Sequence, residues 1–377
     1  GMTDPSAMPP WFARLRSAAT ACALAGLLAA CSSPYHYADP ARPHHLADRF
    51  TNWGESGPSP TVPWYEALGR NLRGDFRPTR EPEGGYAAFA ERWRVPLTPD
   101  QLQPPPQGQA RLAWLGHAGV LLQVDGQNVL IDPQLSDYAG PLPWLSAKRR
   151  VPAPIAPEAL TRIDLLLITH NHYDHLDAAT LARLRAAGQH PRVLVPLGLK
   201  AWFEAQGWSG VEELDWWDTR QLGALGVMLI PSQHWSKRTP TDTNQTLWGG
   251  WALTWARPGG AAPWRFVHTG DTAWNPALYQ HIAQRLGGPV DLLALPVGAY
   301  EPRDFMRRHH LNPGEAVQLL QTLQARQAFG IHWGTFELSH EPFDQPPRDL
   351  AQALTAQQVT PERVWLLRQG ETRPLPF

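Results

Sequence analysis

Thr169-His170-Asn171-His172-Tyr173-Asp174-His175-Leu176-Asp177 places three imidazoles and a carboxylate within six residues, 170–175, directly after the apolar run 163–168. Neutral imidazole and carboxylate are the donor types that hold zinc, iron or manganese. A strand that empties into such a loop gives the donors a rigid base. Four donors on so short a loop cannot all reach one tetrahedral ion, so the loop is read as serving two, and further donors must come from downstream.

Those donors are sought where other apolar, strand-like runs end in His or Asp. Val227-Met228-Leu229-Ile230 leads through Pro231-Ser232-Gln233 to His234; Trp264-Arg265-Phe266-Val267 leads through His268-Thr269-Gly270 to Asp271; Ala328-Phe329-Gly330-Ile331 ends at His332. The resulting set is His170, His172, Asp174, His175, His234, Asp271 and His332, all placed where strands could deliver them to a common rim.

A chain of 377 residues with 43% hydrophobic and 18% charged content can bury a large core and is not disordered. A net charge of −1 and the lack of a long Lys/Arg run exclude nucleic acid as a partner, because binding a phosphate backbone needs a concentrated basic face. Lys148-Arg149-Arg150 and Arg307-Arg308 are read as solvated surface charge.

Residues 1–31 are read as a leader. Gly1 is no initiator, so Met2 or Met8 is the expected native start. Arg14 and Arg16 precede the apolar stretch 18–30, which is too short for a comfortable membrane span. The stretch closes on Leu28-Ala29-Ala30-Cys31, which resembles the lipobox of bacterial lipoproteins, where the cysteine carries the lipid. With Ser32 and Ser33 next, the resemblance implies an outer-membrane anchor facing the periplasm of a bacterial envelope. Cys22 falls in the cleaved part, leaving the mature chain no thiol to cross-link.

Residues 32–109 are rich in Pro and Gly, with Pro104-Pro105-Pro106 the clearest break, and are read as a tether plus an irregular extension. Trp53, Trp64, Tyr65 and Trp93 predict that its later part packs on the body, since disordered linkers rarely carry so many aromatics. Residues 110–377 form the catalytic domain. No repeat of fixed period and no nucleotide-type glycine loop is present. Strands are expected at 111–115, 120–124, 129–131, 193–195 and 292–295, with a hairpin turn at 125–128. Helices are expected at 178–187, 199–206, 276–285 and 313–326. Strand blocks followed by helices, occurring twice, indicate a layered α/β architecture with two sheets inside and helices outside.

The His170-x-His172-x-Asp174-His175 loop followed by His234, Asp271 and His332 resembles the metallo-β-lactamase superfamily. Three longer stretches carry the likeness further: Ser232-Gln233-His234-Trp235-Ser236-Lys237-Arg238-Thr239, Leu295-Pro296-Val297-Gly298-Ala299-Tyr300-Glu301-Pro302-Arg303 and Ile331-His332-Trp333-Gly334-Thr335-Phe336. They are similar to the branch of phospholipases D that hydrolyse N-acylphosphatidylethanolamine.

The resemblance implies a four-layer αββα sandwich and two divalent metal ions, zinc by donor type, with iron or manganese compatible. It implies that His170, His172 and His234 hold one ion, that Asp174, His175 and His332 hold the other, and that Asp271 bridges them. It implies phosphodiester hydrolysis through a metal-bridging hydroxide. Asp174, Asp271 and His310 would be the catalytic groups, His310 falling where the family places a histidine that touches substrate. Asp132 and His117 are read as orienting the donors from behind. The substrate implied is a lipid or another phosphodiester; oligomeric state stays open.

His268 is read as structural, and His36, His44, His45, His190, His281 and His340 as surface or core residues. Eighteen tryptophans fit packing, an apolar acyl groove or an interfacial belt. Fold and donors alone also allow lactone, thioester or other acyl-ester hydrolysis, or a lipoprotein that keeps metal for stability only.

Overall fold

The structure is a computed structural model and describes residues 34–377. Cys31 and the leader lie outside the described residues. The extension carries two helices, α1 (Trp64–Leu72) and α2 (Gly85–Trp93). Next come β1 (Ala110–Gly116), β2 (Gly119–Val124) and β3 (Gln127–Ile131), then a small hairpin of β4 (Tyr138–Ala139) and β5 (Ala147–Lys148). The first half closes with β6 (Leu165–Leu167), α3 (Ala178–Ala186), β7 (Arg192–Pro196), α4 (Leu199–Ala205) and β8 (Val211–Leu214). The second half runs β9 (Thr219–Leu222), β10 (Leu225–Ile230), β11 (Gly250–Trp255), β12 (Trp264–His268), α5 (Pro276–Leu286) and β13 (Leu292–Pro296). It ends with α6 (Arg303–Met306), α7 (Pro313–Thr322), β14 (Gln327–Ile331), α8 (Gln345–Ala356), β15 (Val364–Trp365) and β16 (Thr372–Leu375).

The strands form two seven-stranded sheets, ordered β16-β1-β2-β3-β6-β7-β8 and β15-β14-β13-β12-β11-β10-β9. Each sheet is parallel along one stretch, β3-β6-β7-β8 and β12-β13-β14-β15, where helices make most of the crossovers, and antiparallel elsewhere. The layering follows from side-chain alternation along a strand. Leu112, Trp114, Val120, Leu122, Leu165 and Leu167 point into the core shared with the second sheet. Their neighbours Ala113, Leu115, Leu121, Leu130 and Leu166 point the other way, onto Leu181, Leu184, Trp202 and Phe203 of α3 and α4. Both faces are buried, so the strands read as unbroken apolar runs. The four-layer αββα sandwich expected from sequence is therefore the observed fold.

Local chemistry sets the helix ends. Asp177, the last residue of the histidine loop, caps α3 by accepting the Thr180 N–H at 3.1 Å. Asn312 and Glu315 form a reciprocal capping box at the start of α7. That helix stops at Thr322 and does not reach residue 326, because Gln324 adopts a left-handed conformation with φ 51°.

The extension packs on the body at intervals. Phe50 is fully buried, and Trp93 meets Trp333 edge-on at 4.8 Å. Trp64 and Tyr65, however, are exposed, contrary to the expectation that they pack. The basic run also divides: Arg149 is buried, donating to the carbonyls of Ser136, Val151 and Gln134 and lying over the Phe336 ring, while Lys148 is exposed and Arg150 half-buried beside Glu337.

Candidate metal centre

Both sheets end at one rim. Beyond the last residue of β6 come His170, His172, Asp174 and His175; beyond β10 comes His234, beyond β12 Asp271, and beyond β14 His332. Two more turns reach the same rim, the β1–β2 turn with His117 and the end of β3 with Asp132. Gly270, at φ +60°, turns the chain into Asp271, and a Cβ there would stand 2.4 Å from the Gly249 carbonyl oxygen. His117, Asp132 and His332 also hold left-handed backbone conformations, at φ 50°, 45° and 64°. Such strain clusters where surrounding structure dictates side-chain aim.

The seven expected donors, with His117 as an eighth member, come together in two groups of four, within each of which the candidate donor atoms lie no more than 4.8 Å apart. One group is His170, His172, His234 and Asp271; the other is His117, Asp174, His175 and His332. Asp271 faces both: its Oδ2 is 3.0 Å from His175 Nε2, 3.5 Å from His234 Nε2 and 3.7 Å from His170 Nε2, while its Oδ1 is 3.2 Å from His332 Nε2. A carboxylate shared in this way can bridge two cations. Inside the first group three ring nitrogens converge, His172 Nδ1 lying 2.9 Å from His170 Nε2 and 3.3 Å from His234 Nε2, as nitrogens gathered on one cation would. Donor chemistry and this convergence together fit a metal centre.

Asp132 and His117 stand behind the donors. Asp132 accepts from the Thr169 N–H at 2.8 Å and the Thr169 hydroxyl at 2.6 Å, and its Oδ2 is 2.7 Å from His175 Nδ1. That contact turns His175 Nε2 toward Asp271. His117 lies 2.8 Å from Asp174 Oδ2 and so shares the second group directly, nearer the donors than sequence reading placed it. His310 sits over the pair, its ring 5.3 Å from that of His234 and 5.2 Å from that of His332. His268 bridges the sheets, with Nε2 2.9 Å from the Ala118 carbonyl oxygen, which bears out a structural part.

Without metal the charges oppose one another. Burial, and then the neighbouring imidazoles, hold His170 well below its ordinary pKa. Burial also lowers His332, but the Asp271 charge and bonds to both aspartates outweigh it and push His332 up to about 9. Burial holds His310 down at about 3, so it is a neutral imidazole near pH 7.

Several supporting residues had no signal in the sequence reading. Asn52 of the extension brackets His234: its Oδ1 accepts the His234 N–H at 2.9 Å and the Trp248 indole N–H at 3.0 Å, and its Nδ2 donates to the His234 carbonyl at 2.9 Å. Arg238 clamps the histidine loop, donating to the carbonyls of Asn171 at 3.0 Å and Leu176 at 2.7 Å and stacking on Tyr173. Glu341, buried, gathers the Ala299, Tyr300 and Glu301 N–H groups at 2.9–3.0 Å. Arg238 lies inside a quoted motif; Asn52 and Glu341 sit in segments without periodicity. His44, His45 and Asp215 form a further cluster, but the Arg42 guanidinium is 2.6 Å from the same carboxylate and supplies its cation.

Beside the first group lies a cavity of about 860 Å³ whose walls include His234, Trp235, Trp53, Trp274 and Phe305. Lys237, Arg307 and Arg308 line it too, against one carboxylate, Glu55, which the Ser59 and Thr51 hydroxyls hold at 2.6 and 3.0 Å.

The family described as the Beta-lactamase superfamily domain matches residues 127–333. The chain is 38% identical over 245 residues to the N-acyl-phosphatidylethanolamine-hydrolyzing phospholipase D 1 of Caenorhabditis elegans, covering 63% of this chain and 67% of that one. It is 34% identical over 241 residues to the mitochondrial N-acyl-phosphatidylethanolamine-hydrolyzing phospholipase D of Saccharomyces cerevisiae, covering 63% of this chain but only 50% of that one. Among solved structures, isothiocyanate hydrolase from Delia radicum gut bacteria superposes with a TM-score of 0.54 at 19% identity, over 70% of this chain and 98% of that one, a likeness of fold alone. The chain thus belongs to the metallo-β-lactamase superfamily, in the branch of the N-acylphosphatidylethanolamine-hydrolysing phospholipases D, and is a metal-dependent hydrolase of that fold.

Proposed function

We propose that the chain hydrolyses the phosphodiester of N-acylphosphatidylethanolamine or a related lipid, releasing the amide-bearing alcohol and phosphatidic acid. The observation that carries this reading is the cavity: aromatic walls and three cationic side chains open beside the donor cluster, a surface suited to an apolar chain ending in an anion. The likeness to the worm and yeast phospholipases supports the same substrate class.

In this reading His170, His172 and His234 would hold one divalent cation, Asp174, His175 and His332 would hold the second, and Asp271 would serve both. Zinc is the expected metal, with iron or manganese compatible. When bound, such a pair supplies water made acidic near neutral pH and a positive field for the charge that builds on phosphoryl oxygen. The protein's own groups do the positioning. Asp132 fixes the His175 tautomer by accepting a hydrogen bond from its Nδ1–H. Lys237 and the two arginines draw the anionic end of the substrate toward the rim, and the tryptophans exclude water from the acyl side. Neutral His310, above the pair, offers one N–H to a substrate oxygen. Anchorage through Cys31 to an outer membrane belongs to the same proposal and is checked by fractionating a Cys31→Ser variant.

The test is turnover by metal-loaded protein of a panel containing N-acylphosphatidylethanolamine, a soluble phosphodiester, a lactone and a β-lactam. Phosphatidic acid should appear together with the amide alcohol, and chelation should abolish it. Lactone hydrolysis without phosphodiester turnover would replace this reading with an acyl hydrolase.

A further inference from the structure

Helix α1 is amphipathic the wrong way round for a packed helix. Trp64, Leu68 and Leu72 recur every four residues, with Tyr65 beside them, so at 100° per residue they share one stripe. That stripe points outward: the four side chains are 71%, 47%, 79% and 66% exposed, and α1 buries none of its residues. The polar side faces the protein, where Arg70 bonds Asp304, lies 3.5 Å from Asp75 and sits over the Phe305 ring. Among the described residues the remaining large hydrophobic side chains exposed to this degree, Trp144 and Leu145, project from the β4–β5 hairpin. The base of that hairpin is tied to the histidine loop, since the Gln134 side-chain N–H donates to the Tyr173 carbonyl at 3.1 Å.

Helix α1 thus borders the cavity beside the first donor group, and the segment leading into the hairpin is bonded to the histidine loop. Trp64 and Ala67 of α1 also line the cavity, alongside Arg307 and Arg308. These two arginines are exposed and make no ion pair among the described residues. Apolar rings and leucines flanked by unpaired cations match an anionic phospholipid surface, with side chains entering the acyl boundary and guanidinium groups meeting phosphates. A packed helix in water would turn the same stripe inward.

We propose that the outward face of α1 and the β4–β5 hairpin dock the protein on an anionic phospholipid bilayer, with the cavity opening onto the lipid surface. The inference deepens the lipid-hydrolase reading and rests on it only for what the cavity would take up. The docking itself can be tested on vesicles that hold no substrate.

The experiment is hydrogen exchange on the full chain with and without vesicles of phosphatidylglycerol and phosphatidylcholine. Peptides spanning 64–72 and 142–146 should exchange more slowly with vesicles, and less so as phosphatidylglycerol is withdrawn. A Tyr65→Ser/Leu68→Ser/Leu72→Ser variant should lose that protection and bind vesicles about tenfold more weakly, while turning over a soluble phosphodiester at the unaltered rate. Unchanged exchange in these peptides while the protein sediments with vesicles would overturn the proposal, because attachment would then run through residues 1–33 alone. Protection that rises with protein concentration in the absence of vesicles would also overturn it in favour of a second copy of the chain. Docking without any phosphodiester turnover would keep this inference and remove the substrate reading instead.

Discussion

The rim that carries the donors and the extension that braces it are built by opposite means. Along the rim, His170, His234, Asp271 and His332 each stand one to four residues past a fully buried strand end, so position in space follows from position in sequence. In the extension, Asn52 and His45 act through single side chains on partners 182 and 170 residues away. Rigid strands fix the aim of the donors; isolated polar bonds fix the wall laid against them. The two regions should accordingly fail in different ways.

The largest effect is expected on the rim. Asp271→Asn removes the one carboxylate that faces both donor groups, and turnover should fall on the order of a thousandfold, as when a member of a catalytic unit is lost. Metal analysis of the purified variant should show fewer than two ions per chain. Two ions retained with full turnover would refute the bridging role and reduce Asp271 to a spectator.

Asn52 tests whether the extension belongs to the site. In Asn52→Ala the His234 N–H and carbonyl and the Trp248 indole all lose a buried partner. Stability should drop by about 1–3 kcal/mol for the stranded groups. If the bracket also aims His234, metal affinity measured by chelator competition should fall roughly 10- to 100-fold, the usual result of removing a partner that orients a ligand. The cobalt-substituted protein should show a changed visible spectrum. A lowered melting temperature with unchanged metal affinity would make the extension a wrapper only, and would sharpen the contrast with the rim.

What could be seen from sequence follows the same division. The strands, their rim and the gathering of the seven candidate donors were legible because a strand buried on both faces must be apolar throughout and must then stop, and a run of such stops each followed by His or Asp marks candidate donors at one edge. The extension was not. Nothing local marks Asn52 as different from any other asparagine in a Pro/Gly-rich stretch, since its meaning lies in a bond to a residue 182 positions on. The aromatics misled in part: Trp53 and Trp93 pack, while Trp64 and Tyr65 turn outward, because composition reports apolarity and not the direction it faces. Arg149 misled likewise, for a charge run gives no sign that its middle member will be buried under a ring and three carbonyls.

The smallest effect concerns pH and the outer end of the extension. His45 Nε2 is 2.7 Å from Asp215 Oδ2, and His44 and Arg42 reach the same carboxylate at 2.6 Å each. Burial opposes charge on His45, but the bond and charge of Asp215 outweigh it and hold the imidazole above its ordinary pKa of 6.5. Burial likewise opposes charge on Asp215, yet its bonds to His44 and His45 hold it well below the ordinary 3.8. The stabilisation from His45 is therefore complete below pH 6.5 and fades as pH rises through the raised value, while that from Asp215 is complete above pH 3.8 and fades as pH falls toward the depressed one. The lock should be tightest between about pH 4 and 6.5. Hydrogen exchange of residues 42–52, corrected for the intrinsic pH dependence, should be slowest in that window and a few-fold faster at about pH 8.5. Asp215→Asn should flatten the profile while leaving exchange in β6 and β12 as it was. A flat profile in the parent chain would mean that Phe50 and Asn52 hold the extension without help from this ion cluster, and the contrast between rim and extension would then rest on packing alone.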